Sequence, residues 1–200
     1  SKTLIPFLEK IKSQNIEIQN VVADAGYESL TNYEYLENNS YVSYIKPIYY
    51  EKSKTRKYKK DLNRVENLDY DEKENRLFRK DELELEFLYY SKDKKSIYFK
   101  NPETEKIVRY NKEFRRLSKI SRSNIETEIG KQLRMNRSIQ VEGAFAVLKE
   151  DMKLRKLKVR GKERVQREIG VFCIAYNFNK YLAKLIRKKQ GVILHPLKTA

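Results

Sequence analysis

Two hundred residues are enough for one ordinary domain with a sizeable core, or for one domain with a small insertion. Lysine and arginine number 44 against 28 acids, a net charge of +16, which favours a polyanionic partner: nucleic acid first, an anionic membrane surface second. The single cysteine excludes disulfide scaffolds and cysteine-built zinc sites.

In chain order, Leu4, Phe7, Leu8 and Ile11 trace a helical stripe over residues 3–13. Residues 4–8 are too short an apolar run for a signal peptide, and no run approaches transmembrane length. Val21-Val22-Ala23-Asp24-Ala25-Gly26-Tyr27 predicts a short buried strand whose carboxyl end presents Asp24. Gly26 allows a sharp turn behind that acid. Ser29 or Thr31 can cap a following helix, which ends at Asn38-Asn39-Ser40. Residues 41–45 predict a second strand, closed by Pro47. Helix, strand, helix, strand in that order implies parallel strands joined by a crossover.

From residue 49 to about 122 the character changes. Lys52, Lys54, Arg56, Lys57, Lys59 and Lys60 form a basic run, and acids and bases then alternate to Glu84. Residues 85–90 and 96–99 predict two strands, joined as a hairpin by Lys92-Asp93-Lys94-Lys95. Tyr49, Tyr50, Tyr58, Tyr89 and Tyr98 are interleaved with lysines. That pattern suits a DNA strand, or equally a solvated ribbon whose tyrosines cover a thin core. A lone hairpin is marginal in water and would need a partner. A basic helix is expected over residues 111–121.

Val141, Ala144, Phe145, Leu148 and Met152 follow the spacing of a buried helical stripe. Glu142 and Lys149 are seven apart, so they stack on one side of that helix, bordering the stripe. A carboxylate and a cation so placed suit a metal or phosphate site; a solvated pair on an amphipathic helix is the plain alternative. A regular helix reaching back to Arg137 would point that arginine into the stripe, so a start or bend near Ser138 is expected. Residues 153–164 carry Lys153, Arg155, Lys156, Lys158, Arg160, Lys162 and Arg164, a group suited to phosphates. A final helix over about residues 162–188 is apolar nearly all round between Ile169 and Phe178, and predicts core burial, with Cys173 an inert buried thiol. His195 lies in a tail kept non-helical by Pro196 and supports no Ser/His/Asp triad.

Val22 to Ser29, followed by Asn32-Tyr33-Glu34-Tyr35-Leu36, resembles the second-aspartate region of bacterial insertion-sequence transposases of the DDE type. Arg137-Ser138-Ile139-Gln140-Val141-Glu142-Gly143-Ala144-Phe145, with Lys149, resembles their third-acid region in the group bearing a tyrosine–arginine–glutamate–lysine signature. The resemblance spans roughly residues 4–182 and is weakest over 52–122. Glu142 and Lys149 match the signature. Its arginine would stand at Ser138, one residue after Arg137, and its tyrosine has no counterpart at Arg134 or Met135. Some relatives carry cysteine clusters in the insertion, which this chain lacks. No aspartate precedes Asp24, and the chain opens on Ser1. The expectation is therefore a C-terminal fragment of a longer transposase lacking the first catalytic aspartate.

The resemblance implies a partial RNase H-like α/β fold: helix–strand–helix–strand, then two long C-terminal helices, with a charged insertion containing a β-hairpin. The expected division is residues 1–48 and 123–188 for the core, 49–122 for the insertion and 189–200 for the tail. It implies DNA cutting and joining by phosphoryl transfer with Mg²⁺ or Mn²⁺ held by Asp24 and Glu142. Lys149 would complete the catalytic set. Arg137, Lys149, Lys153, Arg155, Lys156, Lys158, Arg160 and Lys162 would contact DNA. The partners would be transposon ends and target DNA, with a homodimer on DNA an option for the complete enzyme, no membrane, and a cytoplasmic location. The competing readings are a non-catalytic basic nucleic-acid-binding protein and an RNA- or ribosome-associated basic protein without a metal site.

Overall fold

A computed structural model describes residues 2–189. The chain falls into two compact units, Ser1–Thr127 and Glu128–Ala200, each described by itself.

The first unit begins as the hydropathy pattern predicts. Helix α1 (Leu4–Lys12) leads to β1 (Asn20–Ala23), then α2 (Leu30–Asn38) and β2 (Val42–Ile45). Ser29 caps α2, its hydroxyl accepting from the Asn32 amide at 3.2 Å. This satisfies one of the donors that a helix start leaves without a partner. The strands pair in parallel, from Asn20 opposite Val42 to Ala23 opposite Ile45. Leu4, Leu8, Val21, Ala23, Tyr33, Leu36 and Ile45 form the core around this crossover. Full burial of a leucine such as Leu36 contributes about 1.5–3 kcal/mol.

A short basic helix, α3 (Arg56–Lys60), precedes five antiparallel strands paired in chain order. They are β3 (Asp69–Asp71), β4 (Arg76–Phe78), β5 (Glu84–Tyr90), β6 (Ile97–Lys100) and β7 (Ile107–Tyr110). The expected hairpin is β5–β6. It is not marginal, because three further strands extend it and Leu68, Leu77, Leu85, Ile97, Phe99 and Tyr110 give it a core of its own.

Helix α4 (Lys112–Glu126) is capped by Asn111, whose side-chain oxygen accepts from the Phe114 amide at 2.6 Å. Its Leu117 joins the core of the parallel pair. It also closes the outer edge of β2. The fully buried Ser121 hydroxyl accepts from the Ile45 amide at 2.9 Å and donates to the Ile45 carbonyl at 3.0 Å. The Asn124 amide donates to the Ser43 carbonyl at 3.0 Å. Ser121→Ala strips both partners from a buried stretch of backbone. It is expected to lower stability by about 1–3 kcal/mol in urea denaturation, whereas an exposed control such as Ser13→Ala stays within about 0.5 kcal/mol.

The second unit holds α5 (Glu128–Ala146), a π-helical turn (Val147–Asp151) and α6 (Lys162–Ile186). Two expectations fail here. Helix α5 is regular through Ser138, and the irregularity comes later, at the π-helical turn. The apolar faces are not buried: Phe145 is 55 % exposed, Ile174 72 % and Phe178 59 %, and Cys173 is exposed. Periodicity reports which face needs cover, not that the described chain supplies it. His195 and Pro196 lie outside the described residues. No helix among the described residues is long and apolar enough to cross a membrane.

Candidate functional site

Asp24 directly follows the last residue of β1, at the carboxyl edge of the parallel pair. It is exposed. Its carbonyl accepts from the Tyr27 amide at 2.9 Å, opening a single 3₁₀ turn (Ala25–Tyr27), and its side chain does not cap that turn. Across the strand ends, the Lys46 amide donates to the Ala23 carbonyl at 3.3 Å. Parallel strands thus deliver Asp24 to the rim where open α/β sheets hold ligands.

Glu28 is the nearby acid that sequence reasoning passed over, and it is a clamp. Its two carboxylate oxygens accept from the Ser118 hydroxyl at 2.8 Å, the Tyr33 hydroxyl at 3.4 Å and the Ile48 amide at 2.7 Å. It ties α2, α4 and the segment after β2 together. Burial first, then the Glu28 charge, pushes the Tyr33 phenol above its usual range. Nothing in the local sequence separates Glu28 from a solvated acid, because two of its partners come from residues far along the chain.

In the second unit, Glu142 is exposed on α5 and accepts from the Ser138 hydroxyl at 2.7 Å, one helical turn away. Ser138 is the position where the signature would have its arginine. A carboxylate offers about four lone-pair sites, so this single bond leaves capacity for a cation. Lys149 lies in the π-helical turn, with its ammonium 5.7 Å from the centre of the Phe145 ring. The turn shifts Lys149 off the register a regular α-helix would give it relative to Glu142. Arg137 is half-buried on the same helix.

Residues 152–161, between the π-helical turn and α6, are irregular but tethered. The Leu154 amide donates to the Leu148 carbonyl at 2.8 Å. The Lys158 amide donates to both Glu168 oxygens at 3.1 and 3.2 Å. Arg155 pairs with Glu150. Gly161, at φ +90°, makes the turn into α6, a conformation that any larger residue adopts only with strain. Lys153, Arg155, Lys156, Lys158, Arg160 and Lys162 are all exposed along it. Glu168, which organises this stretch, carries no sequence signal beyond being one acid among many.

The five tyrosines singled out by sequence separate into two groups. Tyr50 and Tyr58 are buried. The Lys54 ammonium lies 4.1 Å from the Tyr50 ring centre, and the Tyr58 hydroxyl donates to Glu66 at 2.8 Å. Burial opposes charge on Glu66, yet Arg115 at 3.1 Å and the Tyr58 bond more than offset it, so its carboxyl is held below its usual range. Tyr49, Tyr50, Tyr58, Phe114 and Arg115 line a cavity of about 470 Å³ in the first unit. Tyr49 and Tyr89 are exposed, and Tyr98 is half-buried.

Asp24 belongs to the first unit; Glu142, Lys149, Arg137 and the basic stretch belong to the second. Among the described residues, no group of three or more His, Cys, Asp or Glu side chains gathers as a metal site. Residues 94–182 match the family described as "Transposase DDE domain". The matched segment covers fewer than half of the 200 residues; it includes Glu142, Lys149 and the basic stretch, and stops short of Asp24. No curated protein and no solved structure matches the chain significantly.

Proposed function

We propose that the chain carries part of the DDE domain of a DNA transposase, with an RNase H-like core interrupted by the five-stranded sheet. The observation that carries this reading is the family match over residues 94–182, which falls on the helix of Glu142 and Lys149. The delivery of Asp24 by a parallel strand end adds to it.

Asp24 and Glu142 are assigned as two of the three metal-holding acids. Both are exposed oxygen donors, which suits a hard divalent cation that keeps several waters. Bound Mg²⁺ or Mn²⁺ would activate the attacking oxygen and stabilise the leaving one in an in-line displacement at phosphorus. Lys149 and Arg137 hold the DNA phosphate and offset its charge. The basic stretch holds the flanking backbone and positions the duplex without reading its sequence.

Residues 1–23 contain no aspartate that could serve as a third metal-holding acid beside Asp24 and Glu142. The 200-residue chain alone is therefore expected to leave supercoiled plasmid intact in Mg²⁺. Metal-dependent nicking that disappears in Asp24→Asn would overturn that expectation. The metal assignment has its own test. Fe²⁺ with ascorbate, in place of Mg²⁺, should cut the polypeptide near Asp24 and near Glu142. Asp24→Asn should remove the cut at Asp24, and a cleavage pattern indifferent to both Asp24→Asn and Glu142→Gln would sink the assignment.

The net charge of +16 also supports a second reading, a non-catalytic DNA-binding protein that keeps the fold. Under it, Asp24→Ala leaves DNA affinity and its salt slope unchanged, and no Fe²⁺-directed cut arises at either acid.

A further inference from the structure

The register of the five-stranded sheet places two tyrosines outward together. Phe87 pairs with Phe99 and Tyr89 with Tyr98, so Leu88 is an extra residue, a β-bulge. Phe99 and Leu85 face the sheet's own core. The bulge advances β5 by two residues while β6 advances by one, and so turns Tyr89 onto the opposite face, beside Tyr98. The two rings stack with centroids 4.8 Å apart and planes 23° apart. Tyr89 is 52 % exposed. Arg109 on β7 pairs with Tyr98 and extends the row, its Nε donating to the Ser96 hydroxyl at 3.0 Å.

This pair sits at the basic end of the sheet. The adjoining hairpin turn carries exposed Lys92, Lys94 and Lys95, of which Lys95 pairs with Glu34 at 2.7 Å. Its one acid, Asp93, is exposed as well and accepts from the Ser91 hydroxyl at 2.5 Å and the Lys95 amide at 3.1 Å. One exposed and one half-buried ring stacked on the outer face of a sheet, with Lys92 and Lys94 in the adjoining turn, are complementary to unpaired bases on a phosphate backbone. A duplex keeps its base faces stacked inside and offers these rings nothing.

We propose that the outer face of β5, β6 and β7 at the hairpin end is a stacking platform for single-stranded DNA, with Tyr89 and Tyr98 as the base-contacting residues and Arg109 as the phosphate or edge contact. It deepens the DNA-binding reading above by assigning the form of DNA to one surface, and it rests on that reading for the choice of DNA over RNA.

The test uses the full 200-residue chain, with anisotropy of a fluorescein-labelled dT₂₀ strand and of a 20-base-pair duplex. Tyr89→Leu with Tyr98→Leu keeps apolar cover on the sheet but removes the rings. It is expected to weaken dT₂₀ binding by about tenfold per ring while leaving duplex affinity within twofold. Tyr89→Phe with Tyr98→Phe keeps the rings and should stay within about twofold of the parent for dT₂₀. Equal dT₂₀ affinity in the leucine pair and the parent overturns the proposal, as does equal loss on strand and duplex. Tighter binding of rU₂₀ than dT₂₀ by the parent overturns the choice of DNA. The transposase reading fails separately, through the Fe²⁺ cleavage at Asp24 and Glu142, which does not involve this face.

Discussion

Replacing Lys153, Arg155, Lys156, Lys158, Arg160 and Lys162 together by glutamine is expected to weaken duplex DNA binding by about three orders of magnitude near physiological salt. These six cations, with Arg164, lie within residues 153–164 against one acid, Glu163. They project from a backbone tethered at Leu154 and Lys158 rather than from a free coil, so less ordering is required on binding. Each phosphate contact contributes a slope of about −0.9 to the logarithm of affinity against the logarithm of salt. If all six contact phosphate, the slope becomes shallower by about five. The measurement is a salt titration of duplex affinity for the parent and the sixfold variant. A slope unchanged within one unit would mean that this stretch does not carry the contact. Glu168→Gln probes the same point more gently. It weakens the tether on Lys158 without removing a cation, so affinity should fall by a smaller factor with a nearly unchanged slope.

Leu36→Ala should destabilise the first unit by about 2–5 kcal/mol, while Ile174→Ala should cost less than about 1 kcal/mol. Leu36 is 1 % exposed and Ile174 is 72 % exposed. Both occupy apolar positions of apolar helical stripes, so hydropathy alone would rank them together. The difference comes from burial: truncating Leu36 leaves a cavity in the core with Tyr33, Ile45 and Leu117, whereas truncating Ile174 removes surface already in water. Urea denaturation of the two variants separates them. A cost above 2 kcal/mol for Ile174→Ala would show that α6 is covered in solution by something, a second copy being the first to check by sedimentation.

That contrast marks where the sequence was informative. The parallel pair, the cap at Ser29 and the position of Asp24 after β1 were legible because each depends on neighbours within a few residues: an apolar run, a hydroxyl before a helix, a glycine behind an acid. Strands β3, β4 and β7 were not. Asp69-Tyr70-Asp71 and Arg76-Leu77-Phe78 are three residues long, too short for a period to show, and they become strands through pairing with each other and with β5. The regularity of α5 through Ser138 was misread because Arg137 seemed to demand a break, although a long side chain can extend its charged end from a half-buried position. Of the candidate site, Asp24, Glu142 and Lys149 are residues the sequence proposes, and the structure adds their exposure and surroundings. The work of Glu28 and Glu168 was not legible, since their partners are set by the fold.

The hydroxyl of Ser121 gives the parallel pair a direction. With the outer edge of β2 taken up by α4, and no strand among the described residues beside the other edge of β1, the sheet can lengthen on one side only. The serine hydroxyl thus stands along β2 where a neighbouring strand's backbone would otherwise pair.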